Sequence, residues 1–158
     1  MHPEHLLEHI IRPTLEHLGQ PSKEAEMLLL ATAAVESECG YYVKQLNGPA
    51  LGIFQMEPAS HDDIWGNWLK HREGTRNRIE NLLQRYRAPI AEQLVVNPMY
   101  ACAMARVQYR RSPLPLPRSV HDAMGAWEIY KEGYNSHLGA TTVDTFMGKW
   151  ERYVRDVV

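Results

Sequence analysis

The sequence predicts a mainly α-helical protein with one short irregular or β-like segment. Two observations carry this prediction: apolar residues recur at three- and four-residue steps in several stretches, and helix-start signals stand just before them. No convincing run of strands and no internal repeat interrupts the pattern. With 158 residues, of which 44% are hydrophobic, the chain is the size of one domain with its own core. We therefore expect a single domain over residues 1–158.

The first two helices are predicted in the N-terminal quarter of the chain. Leucines and isoleucines between Pro3 and Leu18 form one face of an amphipathic helix, which Pro13 should kink or split. Ser22 is expected to cap a second helix, whose run MLLLATAAV is apolar on nearly every side, as in a buried central helix. Gly40 is expected to end this helix.

The rest of the chain alternates helices with turn signals. In residues 48–58, Gly, Pro and isolated apolar residues favour irregular structure or short strands. Ser60 and Asp63 resemble a capping box for a short helix that ends near Gly74. Further helices are predicted over about 76–86, from Asn97-Pro98 onward, over about 120–130 and from about Thr142, with a stiff connection over residues 112–117 and a turn over 133–139.

Composition and charge argue against nucleic acid as a partner. The net charge of -2 and the pI near 6.4 provide no positive field that would attract nucleic acid or an anionic membrane. The Arg and Lys residues between 70 and 87 are interpreted as a solvated face rather than a polyanion-binding patch. Glu73 and Glu80 dilute their charge, and aromatic residues are not interleaved with them.

The N-terminal residues predict neither an export signal nor a membrane span, because polar residues interrupt the apolar ones. We therefore expect synthesis in the cytoplasm without a signal peptide. Cys39 and Cys102 are expected to be free thiols. His5 and His9 match the zinc-peptidase pattern H-x-x-E-H, but no clear third ligand follows, so we favour the polar face of a packing helix and expect no metal or cofactor.

Glu36 is the strongest candidate for chemistry. It stands at the end of an apolar helix, where apolar surroundings and the negative end of the helix dipole both disfavour a charged carboxylate. Such a group suits a general acid that holds its proton near neutral pH. The alternative interpretation is an exposed carboxylate at a helix end, which is how we interpret Glu38.

Three sequence elements carry a resemblance to a known family. The pair Glu36-Ser37 is followed by the segment ALGIFQMEP at residues 50–58 and then by the helix start Asn97-Pro98. In this order, over about residues 25–136, the chain resembles the lytic transglycosylase (SLT) branch of the lysozyme-like superfamily. The resemblance implies a lysozyme-like helical fold, with residues 1–21 and 137–158 as flanking helices. It also implies cleavage of peptidoglycan glycan strands between N-acetylmuramic acid and N-acetylglucosamine.

The resemblance also implies roles for individual residues. Glu36 would protonate the departing glycosidic oxygen and then act as base on the muramic acid hydroxyl, closing an anhydro ring, so that one carboxylate suffices, in contrast to the usual pair. Gln55 would bind sugar N-acetyl or hydroxyl groups. The other substrate-binding candidates are Ser37, Tyr41, Trp127, Tyr130 and Tyr134. Of these, Trp127 is the tightest match to the family's tyrosine beside the glutamate, with Tyr130 and Tyr134 as looser matches.

Two positions depart from the family pattern and define alternatives. Leu51 stands where the family has a serine, and Glu57 stands where it has an apolar residue. We favour Glu57 as an exposed charge before Pro58; as a second carboxylate it would position water for hydrolysis, which would make the protein a muramidase. The other alternative is a catalytically inactive virion structural protein with the same fold, since fold does not fix function.

A stand-alone lysozyme-like domain without a signal peptide indicates a bacteriophage protein. It would act in the bacterial cell wall, either as an endolysin released at lysis or as a virion component at infection. Its partners would be peptidoglycan glycan strands and, in the second case, other virion proteins.

Overall fold

The computed structural model describes residues 1–84, 87–135 and 140–158, and the chain is mainly helical, as predicted. Within these ranges the α-helices are α1 Pro3–Leu6, α2 Arg12–His17, α3 Lys23–Ser37, α4 Pro58–Asp63, α5 Glu73–Glu80, α6 Gln93–Val96, α7 Pro98–Arg110, α8 Ala123–Gly133 and α9 Val143–Tyr153. Shorter helical turns are π-helical at Leu7–Ile11 and Ile64–Trp68 and 3₁₀ at Leu69–His71.

The N-terminal helical segment contains a local change of hydrogen bonding. Pro13 lies in the first turn of α2, directly after the π-helical turn. Because proline has no amide hydrogen, a regular helix cannot continue through it unchanged, and the π-helical turn is the form that the predicted break takes. The apolar face, with Ile11 and Leu15 completely buried, packs against α3 and α7.

Helix α3 is the central helix and carries Glu36 near its end. The hydroxyl of Ser22 accepts a hydrogen bond from the amide of Ala25 at 3.1 Å, which confirms the predicted cap. Every residue from Ala25 to Ala34 is buried, as the apolar pattern indicates. The one carboxylate in this run, Glu26, is paired with Arg12.

The end of α3 differs from the prediction. The helix ends at Ser37, and Glu38 already adopts the left-handed conformation with φ of 51°, followed by Cys39 and Gly40 with φ of 57° and 81°. Gly40 is therefore the third residue of a left-handed turn and not the residue that ends the helix. The amides of the first two turn residues still donate to carbonyls in the last turns of α3.

Residues 41–57 form an irregular segment with two isolated antiparallel bridges, Lys44–Leu51 and Leu51–Met56. This agrees with the expected irregular or β-like segment. Gly52 has a φ of 79°, and a Cβ atom there would lie 2.2 Å from the carbonyl oxygen of Leu94. A side chain at this position would thus be both strained and sterically blocked.

The start of α4 contradicts the predicted capping box. The helix begins at Pro58 with Glu57 at the N-cap position and without a side-chain cap, while Ser60 and Asp63 lie inside it. Proline is favoured in the first turn because its missing amide hydrogen would be unpaired there.

Two other segments also begin or end differently from the prediction. Helix α5 ends at Glu80, and residues 85–86 of the predicted helix lie outside the described residues. Helix α8 begins at Ala123, where Asp122 accepts a hydrogen bond from the amide of Gly125. The predicted turn over 133–139 lies mostly outside the described residues as well.

Two other helix starts follow the prediction. Asn97 accepts a hydrogen bond from the amide of Tyr100 at 3.1 Å, with Pro98 in the first turn of α7. Thr142 caps α9 through the amide of Thr145 at 3.2 Å. Residues 112–117 are irregular, as their prolines require. Local side-chain signals therefore located these boundaries correctly.

The core includes both ends of the described chain. Leu6, Ile11 and Leu15 from the first helices and Phe146 and Val154 from the end of the chain belong to the same buried cluster as α3 and α7. Helix α9 packs along α3. The segments that the resemblance leaves as flanking helices thus contribute to the common core. No helix in the described ranges combines the length and apolar character needed to cross a membrane.

Both cysteines are buried free thiols, as predicted. Burial raises the pKa of Cys39 to about 11 and that of Cys102 to about 12. Neither thiol is therefore ionised near neutral pH, which argues against a nucleophilic role.

Candidate active site

Glu36 faces a cavity of about 540 Å³. This volume lies within the roughly 300–1,000 Å³ of typical small-molecule sites. Its walls come from the end of α3, the irregular segment, α4, α7 and the end of α8. The described lining residues are Glu36, Gln45, Ala50, Gln55, Met56, Glu57, Ser60, Gln108, Tyr134 and Asn135.

The carboxyl group of Glu36 is held by Tyr130, whose hydroxyl donates a hydrogen bond to Oε1 at 2.7 Å. Burial raises the pKa of Glu36 to about 7, while the Tyr130 hydrogen bond favours the charged form and offsets part of this increase. Glu36 therefore populates both protonation states near neutral pH. A group of this kind can donate a proton in one step and accept one in the next.

A layer of three tyrosines lies beside Glu36. The rings of Tyr109 and Tyr134 stack with centroids 5.2 Å apart, and those of Tyr130 and Tyr134 with centroids 6.3 Å apart. Burial raises the pKa of all three hydroxyls above the usual value of 10.0. The tyrosines are thus neutral near pH 7, and they supply apolar surface that disfavours the Glu36 charge without adding a charge of their own.

Ser37 joins the end of α3 to the irregular segment. Its side chain is completely buried, and its hydroxyl donates to the carbonyl of Ile53 at 2.5 Å and accepts from the amide of Gly40 at 2.8 Å. Ser37, a predicted substrate contact, is therefore not among the described residues that line the cavity. It instead fixes the irregular segment relative to Glu36.

Gln55, a predicted sugar-binding residue, is among the residues that line the cavity. Its backbone is left-handed with φ of 47°, and its side-chain amide donates to the carbonyl of Gly52 at 2.9 Å. This hydrogen bond uses one of the two amide hydrogens. The other hydrogen and the amide oxygen can pair with a bound amide or hydroxyl group.

Glu57 is exposed, as we favoured, and it also lines the cavity with Glu36. It stands at the N-cap of α4, directly after the irregular segment. The cavity consequently contains two carboxyl groups in different environments, one largely buried and one exposed. Pairs of this kind can divide acid and base roles between them.

The remaining predicted substrate contacts lie elsewhere. Tyr130 is completely buried and touches the carboxyl of Glu36, so it positions that group and does not line the cavity. The ring of Trp127 packs against Phe146 with centroids 5.6 Å apart, and Tyr41 is 82% exposed. Neither is among the described lining residues. The tyrosine in contact with Glu36 is Tyr130, one of the two looser matches, while Trp127 makes no described contact with that carboxyl.

Six lining residues were not predicted from the sequence: Gln45, Ala50, Met56, Ser60, Gln108 and Asn135. Gln108 is a polar residue in the mainly small and apolar run of α7, which is a signal that could have drawn attention to it. Asn135 directly follows Tyr134, one of the looser matches to the family's tyrosine. Its neighbour Tyr134, a predicted candidate, lines the cavity and donates through its hydroxyl to the carbonyl of Phe54 at 2.7 Å.

The zinc-peptidase interpretation gains no support from the geometry. His5 and His9 are exposed, with ring centroids 5.8 Å apart. Across residues 1–84, 87–135 and 140–158, no group of three or more His, Cys, Asp or Glu side chains could hold a metal ion.

Comparison with known proteins provides no relative for this chain: no protein-family model matches it, and no curated protein or solved structure matches it significantly. The fold and the site therefore describe a mainly helical protein with a protonatable glutamate in a cavity.

Proposed function

We propose that the protein cleaves the glycan strands of peptidoglycan between N-acetylmuramic acid and N-acetylglucosamine, as a lytic transglycosylase with a lysozyme-like fold. The observation that carries this proposal is the setting of Glu36: a carboxyl group with a pKa of about 7, bonded to Tyr130 and facing a cavity that also contains Gln55. These are the two residues that the sequence resemblance assigns to the acid and to sugar binding.

In the proposed reaction, protonated Glu36 donates its proton to the departing glycosidic oxygen. The resulting carboxylate then takes a proton from the muramic acid hydroxyl, whose oxygen attacks the anomeric carbon and closes the anhydro ring. Each step uses one of the two protonation states that a pKa near 7 makes available. Tyr130 holds the carboxyl in one orientation, and the side-chain amide of Gln55 can pair with an N-acetyl group.

Digestion of purified bacterial sacculi, followed by mass spectrometry of the released fragments, tests this proposal. We expect anhydro-muropeptides from the wild-type protein. Loss of a general acid lowers rates by about 10²–10⁴-fold, so Glu36→Gln should release almost none. The matched control is Glu16→Gln, which changes an exposed carboxylate on α2 and should leave the rate unchanged. Equal release by wild type and Glu36→Gln would contradict the proposal.

A muramidase is the second candidate, and the presence of Glu57 in the same cavity favours it. In this case Glu57 would position the attacking water, and the products would carry reducing ends. Glu57→Gln distinguishes the two reactions: it should abolish release by a muramidase and spare a transglycosylase. No release of fragments by the wild-type protein would instead support the inactive virion protein.

The proposed substrate also sets where the protein would act. Glycan strands lie in the bacterial cell wall, so the protein would act there after release at lysis or as part of a virion. Assay of purified virions for the protein and for glycan cleavage would distinguish these two routes.

A further inference from the structure

A second, smaller cavity contains two arginines from α7. Its volume is about 260 Å³, and Arg106 and Arg110, one helical turn apart, both line it. The other described lining residues are Leu28, Tyr109, Ser112, Leu114, Pro115, Leu116 and Ile129. None of these nine residues lines the cavity of Glu36, so the two sites are separate.

Neither Arg106 nor Arg110 forms an ion pair with a carboxylate in the described part of the chain. The Nε atom of Arg106 is buried and has no hydrogen-bond partner there. Arg110 donates to the neutral hydroxyl of Thr75 at 3.3 Å and lies 5.4 Å from the ring centroid of Trp68. Arg111, by contrast, is paired with a carboxylate. Arg106 is half-buried and Arg110 is exposed, so the unfavourable group is Arg106, a partly buried cation without such a partner.

The charges of neighbouring arginines make the unpaired guanidinium groups still less favourable in the folded protein. Burial lowers the pKa of both Arg106 and Arg110. The charge of Arg110 lowers the pKa of Arg106 further, and the charge of Arg72 does the same to Arg110. Since arginine stays protonated in proteins, the repulsion persists near neutral pH, and a bound anion would relieve it.

The other walls indicate what kind of anion fits. Leu28, Leu114 and Ile129 provide apolar surface opposite a small set of polar donors. The hydroxyl oxygen of Ser112 accepts from the amide of Leu114 at 3.3 Å, which leaves its hydrogen available to a ligand. Guanidinium groups bind planar carboxylates through paired hydrogen bonds. The space beside the two arginines is about 260 Å³, which accommodates a short aliphatic carboxylate, and it adjoins a larger cavity of about 930 Å³ that shares five of its lining residues: Ser112, Leu114, Pro115, Leu116 and Ile129.

We propose that Arg106 and Arg110 form a binding site for a small aliphatic carboxylate. The carboxylate pairs with the two guanidinium groups, and its short aliphatic body packs on the leucine and isoleucine walls. Such a group is found in free aliphatic acids and at the C-terminus of peptides that end in alanine. The site does not depend on the proposed reaction at Glu36.

Calorimetric titration with four probes, three organic compounds and inorganic phosphate, tests the ligand class. Butyrate represents a free carboxylate, N-acetyl-alanyl-alanine a peptide terminus, and the C-terminal amide of that dipeptide lacks the charge. We expect saturable binding of at least one of the two carboxylates and none of the amide. Equal binding of the amide, or binding of inorganic phosphate without either carboxylate, would overturn the proposal, as would no saturable binding at millimolar concentration.

Variants locate the site. Arg106→Gln and Arg110→Gln should each weaken binding of the carboxylate probe at least tenfold. Arg152→Gln removes the same charge from an exposed position on α9 and should bind like wild type. Glu36→Gln should also bind like wild type, which separates this test from that of the proposed function. Unchanged binding by the two α7 variants would place the carboxylate elsewhere and overturn the assignment.

Thermal unfolding gives an independent readout without ligand. Because Arg106 is uncompensated, Arg106→Gln should unfold at the same or a higher temperature than wild type. The carboxylate probe should then stabilise wild type and not this variant. A variant that unfolds at a clearly lower temperature would show that Arg106 supports the empty fold, contrary to the proposal.

Discussion

At the scale of single residues, the burial of Glu36 couples its protonation to the stability of the protein. Its folded pKa of about 7 lies above the usual 4.5, so between these values the folded protein keeps a proton that the unfolded chain has released. The free energy of unfolding therefore decreases as the pH rises through this window. The decrease in the free energy of unfolding is complete above about pH 7 and amounts to at most about 3 kcal/mol.

Glu36→Gln should abolish this decrease because its side chain does not titrate. Urea unfolding between about pH 5 and pH 8 measures the effect. Glu38→Gln is the control of opposite sign: Lys149 lowers the pKa of Glu38, so that carboxylate contributes stability that is lost as the pH falls. Parallel pH profiles for wild type and Glu36→Gln would contradict the burial of the Glu36 carboxyl.

The Tyr130 hydroxyl should lower the pKa of Glu36, since it donates to the carboxylate form. In Tyr130→Phe we therefore expect the pKa of Glu36 to rise above about 7. Titration of the side-chain carboxyl carbon by NMR measures it. Tyr134→Phe removes a hydroxyl that donates to the carbonyl of Phe54 and should change the pKa much less. Equal shifts in the two variants would argue against a specific Tyr130 contact.

At the scale of elements, the irregular segment depends on a backbone approach that leaves no space for a side chain. Gly52→Ala places a Cβ atom against the carbonyl of Leu94 and adds the strain of a left-handed alanine. We expect a loss of at least about 2 kcal/mol in the free energy of unfolding, measured in urea.

Gly66→Ala is the matched control for Gly52→Ala. A Cβ atom at Gly66, in a π-helical turn, has no neighbour within 4 Å outside that turn, so the free energy of unfolding should rise by about 0.5–1 kcal/mol. Similar effects of the two substitutions would mean that Gly52 is not held against Leu94.

Helix starts were predictable where one side chain determines them, as Ser22, Asn97 and Thr142 show. The end of α3 was not, since Glu38 and Cys39 adopt the left-handed conformation before Gly40 although neither is a glycine. Glu38 also accepts a hydrogen bond at 2.5 Å from Lys149, which is 111 residues away. A contact of this range leaves no local signal, so Gly40 was the natural but wrong choice.

The site was predictable to a similar degree. Glu36, Gln55 and Tyr134 followed from the order of sequence elements, and all three meet at one cavity. The choice between Trp127 and Tyr130 could not be made from the sequence, since both lie on α8 three residues apart. Only the packing of that helix decides which ring reaches Glu36.

At the scale of the whole molecule, the last helix, α9, packs against the tyrosine that holds Glu36. Phe146 in α9 is completely buried, and its ring lies 5.3 Å from that of Tyr130, the residue that holds Glu36. Phe146→Ala should lower the free energy of unfolding by about 3–5 kcal/mol because it leaves a cavity in the core. The NMR signals of Tyr130 should shift as well.

Arg152→Ala provides the comparison on the same helix. This residue is exposed, so the free energy of unfolding should change by no more than about 0.5 kcal/mol. Equal stability of the Phe146 and Arg152 variants, measured by urea unfolding, would mean that α9 does not belong to the common core.

The hydrogen bonds of Ser37 make the spacing between Glu36 and Gln55 independent of the length of the loop at residues 41–50. Because its hydroxyl ties the end of α3 directly to Ile53, the path from Glu36 to Gln55 bypasses residues 41–50. The tip of that loop, where Leu46 is 85% exposed, is thus free to change in length or composition while the carboxyl and the amide keep their spacing. For the proposed reaction, this means that the rim of the cavity can diversify while the proposed acid Glu36 and the amide of Gln55 keep their spacing.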